Sequence, residues 1–221
     1  MQEVGKIRTT CGKILSIQSQ LGGLSFYCGA DKKQYHISVD NTAEAAVVIA
    51  REIAADSYDH IDYFHNSLDY ILIPRSLFDE NMCDAYLLTK GIQQKTGDVI
   101  RVTLTADVAY ISLVSGEINA VTTCCNVFPV IAKCYKYCST IDGRRIAYVL
   151  EDGLLHVCYS DSLQVLFCES LPLTSASDFE FFLGEIVRRY DLRGDYFIDQ
   201  LFSSDSYKVP FGGTSIDKIG K

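Results

Sequence analysis

The stretch 146-IAYVLEDGLLHV-157 predicts a tight β-hairpin. Apolar side chains alternate from Ile146 to Leu150 and again from Leu155 to Tyr159, with the period of two that is typical of strands. Glu151-Asp152-Gly153 separates the two runs, and Asp and Gly favour tight turns. We therefore expect two antiparallel strands here.

A third strand and a helix follow this hairpin. Asp161-Ser162 turns the chain, and Val165 and Phe167 continue the alternation. Ser177, followed three residues later by Glu180, predicts a capping box. Behind it a full apolar stripe at helical spacing predicts a helix over 177–190: Phe179, Phe182, Leu183, Ile186, Val187 and Tyr190.

The same order of elements occurs near the start of the chain. Alternating apolar residues predict strands over 14–20, 24–28 and 35–39, and Gly22-Gly23 lies in the first turn. Asn41 is placed to cap a helix whose apolar stripe is Ala43, Ala46, Val47, Ala50 and Ala54.

Between these two units the pattern is less regular. Tyr70 to Ile73 is a continuous apolar run, typical of a strand buried on both faces. Ser76 and Asp79 predict a capping box for the next helix. Further strands are predicted over 99–104, 108–114 and 118–123, and a helix is predicted from Pro129 onward through Ile131, Cys134, Tyr135 and Cys138.

Two β-β-β-α units in one chain indicate an internal duplication. The repetition is one of element order, since the residues themselves differ. We predict an α/β protein with mixed sheets. Its first half covers 12–142, its smaller second half covers 143–202, and 203–221 forms a polar tail.

Three segments of the chain, 70–80, 148–157 and 170–179, resemble a family of uncharacterised Bacteroidetes proteins with the actin-like ATPase fold, which is ribonuclease-H-like. Each half of that fold is built from a meander followed by a helix and a strand. The resemblance covers most of residues 12–200, and it implies two similar halves that share a cleft.

In actin-type ATPases, the first meander turn of each half carries an acid that holds Mg²⁺ through water, and glycines that let backbone N–H groups approach phosphates. The resemblance therefore implies a set of candidate cleft residues: Gly22, Gly23, Asp152, Gly153, Gly212 and Gly213. The last two are similar to the glycine pair that contacts adenosine in those ATPases.

This sequence departs from the ATPase pattern at both turns. The first turn, 18-QSQLGG-23, has glycines but no acid, and in the second the bulky Leu154 and Leu155 follow the glycine. Plain hairpin turns are the favoured interpretation for both. A flexible tail is the favoured interpretation for Gly212 and Gly213.

Charge and hydropathy narrow the classes of function. The net charge is −8, with 20 basic residues among 28 acidic ones, and the basic residues cluster only in pairs. Nucleic-acid binding depends on clustered Lys and Arg, so it is not expected. Membrane insertion is not expected either, because no apolar run approaches about 18 residues. Residues 1–6 lack the apolar core of a signal peptide, which predicts a cytoplasmic location.

The nine cysteines allow two interpretations. Their odd number and the absence of export features argue against a disulfide framework. Cys124, Cys125, Cys134 and Cys138 form a cluster that could bind a metal, but they lack the usual short zinc knuckle, and buried thiols are favoured. His60 and His65 are five residues apart, on opposite faces of a strand, which disfavours joint metal ligation.

Common catalytic motifs are missing from the sequence, which contains no G-x-x-x-x-G-K-[ST], H-E-x-x-H or G-x-S-x-G. The favoured hypothesis is a non-catalytic protein of the actin-like fold that acts as an intracellular protein-interaction module without a cofactor. The alternative is a degenerate nucleotide-binding protein or ATPase that uses ATP with Mg²⁺. The missing acid in the first turn discriminates between the two hypotheses.

Overall fold

The computed structural model describes residues 13–28, 33–194, 196–203 and 214–215. The strands in this part of the chain are β1 (Ile14–Gln20), β2 (Gly23–Cys28), β3 (Lys33–Ser38), β4 (His60–His65), β5 (Tyr70–Pro74), β6 (Asp98–Leu104), β7 (Val108–Ser115), β8 (Asn126–Pro129), β9 (Arg145–Glu151), β10 (Leu154–Asp161), β11 (Gln164–Pro172), β12 (Phe197–Ser203) and β13 (Thr214–Ser215). The helices are α1 (Thr42–Ala54), α2 (Cys83–Thr89), α3 (Gly116–Val121), α4 (Ile131–Thr140) and α5 (Ala176–Arg189).

Two five-stranded sheets have the same topology. The first has the order β3-β2-β1-β4-β8 and the second has the order β11-β10-β9-β12-β13. In each, the first strand of the meander pairs antiparallel with the second and parallel with the strand that follows the helix. The predicted α/β duplication is therefore confirmed.

Each sheet packs against the helix that follows its meander. α1 covers the first sheet through Ile49, in one core with Ile17 and Phe26. α5 covers the second sheet, where the rings of Phe179 and Tyr148 lie 5.4 Å apart between centroids. The predicted cap of α1 is confirmed, because Asn41 Oδ1 accepts a hydrogen bond from the Glu44 backbone N–H at 2.9 Å.

The cap of α5 differs from the prediction. The N-cap is Ser175, whose hydroxyl accepts a hydrogen bond from Asp178 N at 3.3 Å. The Asp178 carboxylate in turn accepts one from Ser175 N at 2.9 Å. The capping box predicted at Ser177 and Glu180 is therefore wrong by two residues, because Ser175 is extended and Ser177 already lies inside the helix.

A three-stranded antiparallel sheet, with the order β5-β7-β6, is inserted between β4 and β8. We call residues 66–125 the inserted segment. Tyr70–Pro74 is a strand, as predicted, but it is an edge strand of this small sheet, and Ile71 to Ile73 are only half-buried. The parallel neighbour of β1 is instead β4, in which Tyr63 pairs with Ile17.

Three further local predictions are corrected. Ser76 does not cap a helix, since two short 3₁₀ turns, Arg75–Leu77 and Glu80–Met82, precede α2. The strand predicted over 118–123 is helix α3, because the Ser115 hydroxyl accepts a hydrogen bond from Ile118 N and starts a helix there. Pro129 ends strand β8 and is not part of a helix.

Helix α4 connects the two sheets. It follows β8 of the first sheet, yet Ile131, Cys134 and Cys138 pack in one cluster with Val149 and Cys158 of the second sheet. None of the described helices is long and apolar enough to span a lipid bilayer.

Candidate functional site

The two hairpin turns that the sequence singled out lie in contact. Leu21-Gly22 joins β1 to β2, and Asp152-Gly153 joins β9 to β10. The Asp152 carboxylate accepts a hydrogen bond from the Leu21 backbone N–H. Both glycines have a left-handed backbone, with φ of +72° at Gly22 and +73° at Gly153, a conformation that glycine adopts without steric cost.

The other candidate glycines are placed differently. Gly23 is the first residue of β2, and a Cβ atom there would lie 2.2 Å from the His36 ring and 2.9 Å from the Ile37 carbonyl oxygen. The missing side chain at Gly23 therefore lets β2 pack closely against β3. Gly212 and Gly213 lie outside the described residues.

The Glu151 carboxylate lies beside this meeting point and is only 1% exposed. It accepts hydrogen bonds from the side-chain amides of two residues of β1: from Gln18 Nε2 at 3.0 Å, and from Gln20 Nε2. The first turn has no acid of its own, but the amides of Gln18 and Gln20, which precede it in β1, bind the Glu151 carboxylate of the second half. Burial, followed by the nearby charge of Asp152, raises the pKa of Glu151.

Lys133 reaches the same place from α4. Its ammonium group donates a hydrogen bond to Gln18 Oε1 and lies 4.5 Å from the centroid of the Phe64 ring. Burial lowers the pKa of Lys133 to about 8, and the negative charge of Glu151 opposes this shift. The side-chain amide of Gln18 therefore bridges the Lys133 ammonium group and the Glu151 carboxylate.

Asn66, just after β4, extends the network across the two halves. Its Nδ2 donates to Asp152 Oδ2 at 2.9 Å and to the Glu151 carbonyl oxygen at 3.3 Å. Its Oδ1 lies 2.8 Å from His156 Nε2. Because an amide oxygen can only accept, His156 Nε2 carries the proton.

The network continues through His156 to the edge of the second sheet. His156 Nδ1 accepts a hydrogen bond from the Ser170 hydroxyl at 2.6 Å, and Ser170 Oγ accepts one from the Tyr70 hydroxyl at 2.5 Å. Burial lowers the pKa of His156 to about 3, so the ring is neutral at physiological pH and a weak base. A directed chain of hydrogen bonds thus runs from Tyr70 to Asp152.

His65, at the end of β4, is buried beside this network. Neither of its ring nitrogens has a hydrogen-bond partner among the described residues. Burial lowers the pKa of His65 to about 4. His60 is exposed while His65 is buried, so the prediction that the two rings lie on opposite faces of their strand is confirmed.

Sequence reasoning identified Gly22, Asp152 and Gly153 but missed most of this site. One available signal was Lys133, a charged residue next to the apolar face of α4. Another was Glu151, an acid that ends a run of buried apolar residues in β9.

The cysteines are arranged differently from the predicted cluster. Cys134 and Cys138 pack near Cys158 and Cys168 of the second sheet. Cys28, Cys125, Cys134, Cys138 and Cys158 are buried, as predicted, while Cys124 is exposed. Within the described ranges, no group of three His, Cys, Asp or Glu side chains is placed to hold a metal ion.

Two neighbouring pockets lie between the inserted segment and β11. One, of about 290 Å³, is lined by Tyr70, Lys90 and Cys168 among others. The other, of about 470 Å³, is lined by Lys90 and Ser170 among others. Lys90 Nζ donates a hydrogen bond to Glu169 Oε2 at 3.1 Å and lies 4.3 Å from the centroid of the Tyr70 ring.

Comparison with solved structures identifies the fold. A Bacteroides thetaiotaomicron VPI-5482 protein, described as having an actin-like ATPase fold and unknown function, matches with a TM-score of 0.68 and 14% identity. The match covers 90% of this chain and 85% of that protein. The fold of this chain is therefore the actin-like ATPase fold, as the resemblance implied.

Two weaker matches are components of bacterial assemblies. The cytoplasmic domain of EpsL, an inner membrane component of the type II secretion system of Vibrio cholerae, matches with a TM-score of 0.48 and 12% identity over 92% of this chain and 89% of that one. A chain of the PilM-PilN type IV pilus biogenesis complex matches with a TM-score of 0.48 and 11% identity over 86% and 81%.

No curated protein matches the sequence. A family profile, in contrast, matches nearly the whole chain, over residues 5–202. The chain therefore belongs to the family described as Protein of unknown function (DUF3822).

Proposed function

We propose that this protein is a non-catalytic member of the actin-like fold and that it acts by binding another protein. The observation that carries the proposal is the direct contact between the two hairpin turns. In actin-type ATPases these turns face phosphate and Mg²⁺. Here the Asp152 carboxylate accepts the Leu21 N–H, and the Glu151 carboxylate accepts the amides of Gln18 and Gln20.

The charges at this contact also disfavour a bound phosphate. Phosphoryl transfer depends on cations and backbone donors that neutralise the charge on the transferred group. At this site two carboxylates, Glu151 and Asp152, lie side by side, and Lys133 already donates to Gln18. An entering phosphate would have to displace Asp152 from the Leu21 N–H and approach both carboxylates.

The inserted segment provides a surface for a protein partner. It exposes five large apolar side chains: Leu77, Met82, Leu88, Val102 and Leu104. Leu77, at 69%, and Leu88, at 59%, are the most exposed of them. Where exposed apolar side chains form one continuous patch, the patch commonly marks a protein-protein interaction site. The net charge of −8 favours a protein partner over a nucleic acid.

An ATP hydrolysis assay tests the non-catalytic part of the proposal. The purified protein with Mg²⁺ and ATP is expected to release phosphate no faster than the Asp152→Ala variant and buffer. The second candidate function, a degenerate ATPase, is favoured by the two glycine turns that face each other with Asp152 between them. Turnover by the wild-type protein that Asp152→Ala abolishes would establish that candidate instead.

Affinity capture with matched variants tests the interaction part. The double variant Leu77→Glu/Leu88→Glu places two charges on the exposed apolar side chains of the inserted segment. The control is Val47→Glu, since Val47 is 70% exposed on α1, outside that segment. We expect a protein that the wild type and Val47→Glu both retain and that the double variant loses. Retention of the same proteins by all three would contradict the proposed surface.

A further inference from the structure

Three thiols form a continuous row from a pocket into the protein interior. Cys168, half-buried in β11, lines the pocket of about 290 Å³ beside Lys90 and Tyr70. Directly across the strand pair lies Cys158 of β10. Cys138 of α4 lies behind this pair, and its buried thiol donates a hydrogen bond to the Cys158 carbonyl oxygen at 3.6 Å.

We propose that Cys168 is a site of covalent oxidation by hydroperoxides that enter this pocket, and that Cys158 then closes a cross-strand disulfide with it. This proposal is independent of the proposed protein-binding function. It assigns a chemical role to a pocket and to a thiol cluster that the hairpin contact does not involve.

The strand register places the two cysteines at a separation that a disulfide can span. Residues directly opposite in an antiparallel pair have Cα atoms about 4.5–5.5 Å apart. Disulfides usually span Cα separations of about 4.4–6.8 Å. Cys158 and Cys168 are such a pair, so a disulfide between them requires no change of register.

The reaction has two steps, and the hydroperoxide is the oxidant. The Cys168 thiolate attacks the terminal oxygen, the O–O bond breaks, and a sulfenic acid forms while the other oxygen leaves as an alcohol or as water. Cys158 sulfur then attacks the sulfenic sulfur, the S–O bond breaks, and the departing hydroxide leaves as water with the Cys158 proton. The chain loses two hydrogens in total, and the peroxide is reduced.

The surroundings distinguish the roles of the thiols. Cys168 is half-buried and lines the pocket, whereas Cys158 and Cys138 are fully buried. Hydrogen bonds to Cys138 and Cys168, together with burial, raise the pKa of Cys158. Access from the pocket makes Cys168 the thiol that a hydroperoxide reaches first.

Peptide mapping of the full-length protein tests this directly. The protein is treated with hydrogen peroxide, its remaining thiols are alkylated, and it is digested with trypsin and with a protease that cleaves after acidic residues. Trypsin alone leaves Cys158 and Cys168 in one peptide, but cleavage after Asp161 separates them. We expect the two resulting peptides to be joined by a disulfide.

Cys83 provides the matched control. It is half-buried like Cys168, but the charged groups around it are the carboxylates of Asp79, Glu80 and Asp84. Cys83→Ser is expected to form the Cys158–Cys168 link as the wild type does, and Cys168→Ser is expected to keep both Cys158 and Cys138 as free thiols, alkylated once the protein is denatured, at the same peroxide dose.

Three results would overturn the proposal. The first is a Cys168 thiol that survives a dose that oxidises the exposed Cys124. The second is sulfinic acid at Cys168 without a link to Cys158. The third is a Cys138–Cys158 disulfide, which would remove Cys168 as the point of entry.

Discussion

Buried polar side chains in this protein fall into two groups. Glu151 and His156 both have hydrogen-bond partners, and these include residues of the first half of the chain, Gln18 and Asn66. His65 is only 5% exposed, and its ring has no hydrogen-bond partner within the described residues. A satisfied buried group contributes to stability, whereas an unpaired one opposes folding. A substitution at His65 therefore measures how much an unpaired buried group destabilises the folded protein.

The substitution His65→Leu is expected to change the pH dependence of stability. Burial lowers the pKa of His65 from the 6.5 of an exposed histidine to about 4 in the folded protein. As the pH falls below 6.5, the unfolded chain takes up a proton that the folded protein cannot, so the stability of the wild type falls until about pH 4. This effect reaches about 1.4 kcal/mol per pH unit for one histidine, and the leucine variant lacks it.

Urea denaturation at about pH 7, 6 and 5 measures the free energies of unfolding. Near pH 7 the variant is expected to be as stable as the wild type or more stable, because no hydrogen bond is lost. Near pH 5 its advantage should grow by roughly 2 kcal/mol. His60→Leu, at an exposed histidine of the same strand, serves as the control. Parallel profiles for the wild type and His65→Leu would contradict the expectation.

Among single elements, helix α5 has two candidate N-cap serines, and only one of them, Ser175, caps the helix. Ser175 is extended and exchanges hydrogen bonds with Asp178, while Ser177 lies in the first turn of the helix. Ser175→Ala is expected to lower the free energy of unfolding by about 1 kcal/mol. Ser177→Ala should be neutral or slightly stabilising, because Ala is the better helix former.

Denaturation of both variants beside the wild type checks this expectation. Equal losses of unfolding free energy at the two positions would contradict the cap at Ser175, and a larger loss at Ser177 would place the N-cap at Ser177, as the sequence pattern predicts.

Elements with strong periodicity could be predicted from the sequence, and those that depend on tertiary partners could not. Alternation along 146–157 and the Asn41 cap of α1 are local signals, and both are confirmed. β4 contains two histidines and an aspartate, so its place beside β1 is visible only once the sheet forms. In 118–123, β-branched residues favour a strand, but the Ser115 cap and packing against α1 produce a helix.

On the scale of the whole molecule, the site depends on contacts between distant parts of the chain. The residues that meet at Asp152 are separated from it by 131 positions at Leu21 and by 86 at Asn66. The turn residues could be predicted, because glycines and acids mark turns. Their partners could not, because no local pattern reports a contact over such separations.

The substitution Asp152→Ala is expected to weaken the contact between the two halves. It removes the acceptor of the exposed Leu21 N–H, which water can replace, and of the part-buried Asn66 Nδ2, so the expected loss is about that of one hydrogen bond to a charged group, roughly 1–2 kcal/mol. Urea denaturation measures the loss. Glu180→Ala, at an exposed carboxylate on α5, serves as the control and should change stability little. A loss at Asp152 no larger than that at Glu180 would contradict the proposed contact.

Thermal denaturation with increasing Mg²⁺ and ATP measures whether the contact between the two turns takes the place of a nucleotide. A ligand that binds the folded state must stabilise it, by about 2.7 kcal/mol at 100 times its Kd. For a chain of this size that amounts to a shift of several degrees, roughly 5–10 °C. We expect no shift in Tm at any ATP concentration up to the millimolar range. A rise in Tm that saturates with ATP, and that Asp152→Ala abolishes, would show that the turns open to bind a nucleotide and would contradict the account.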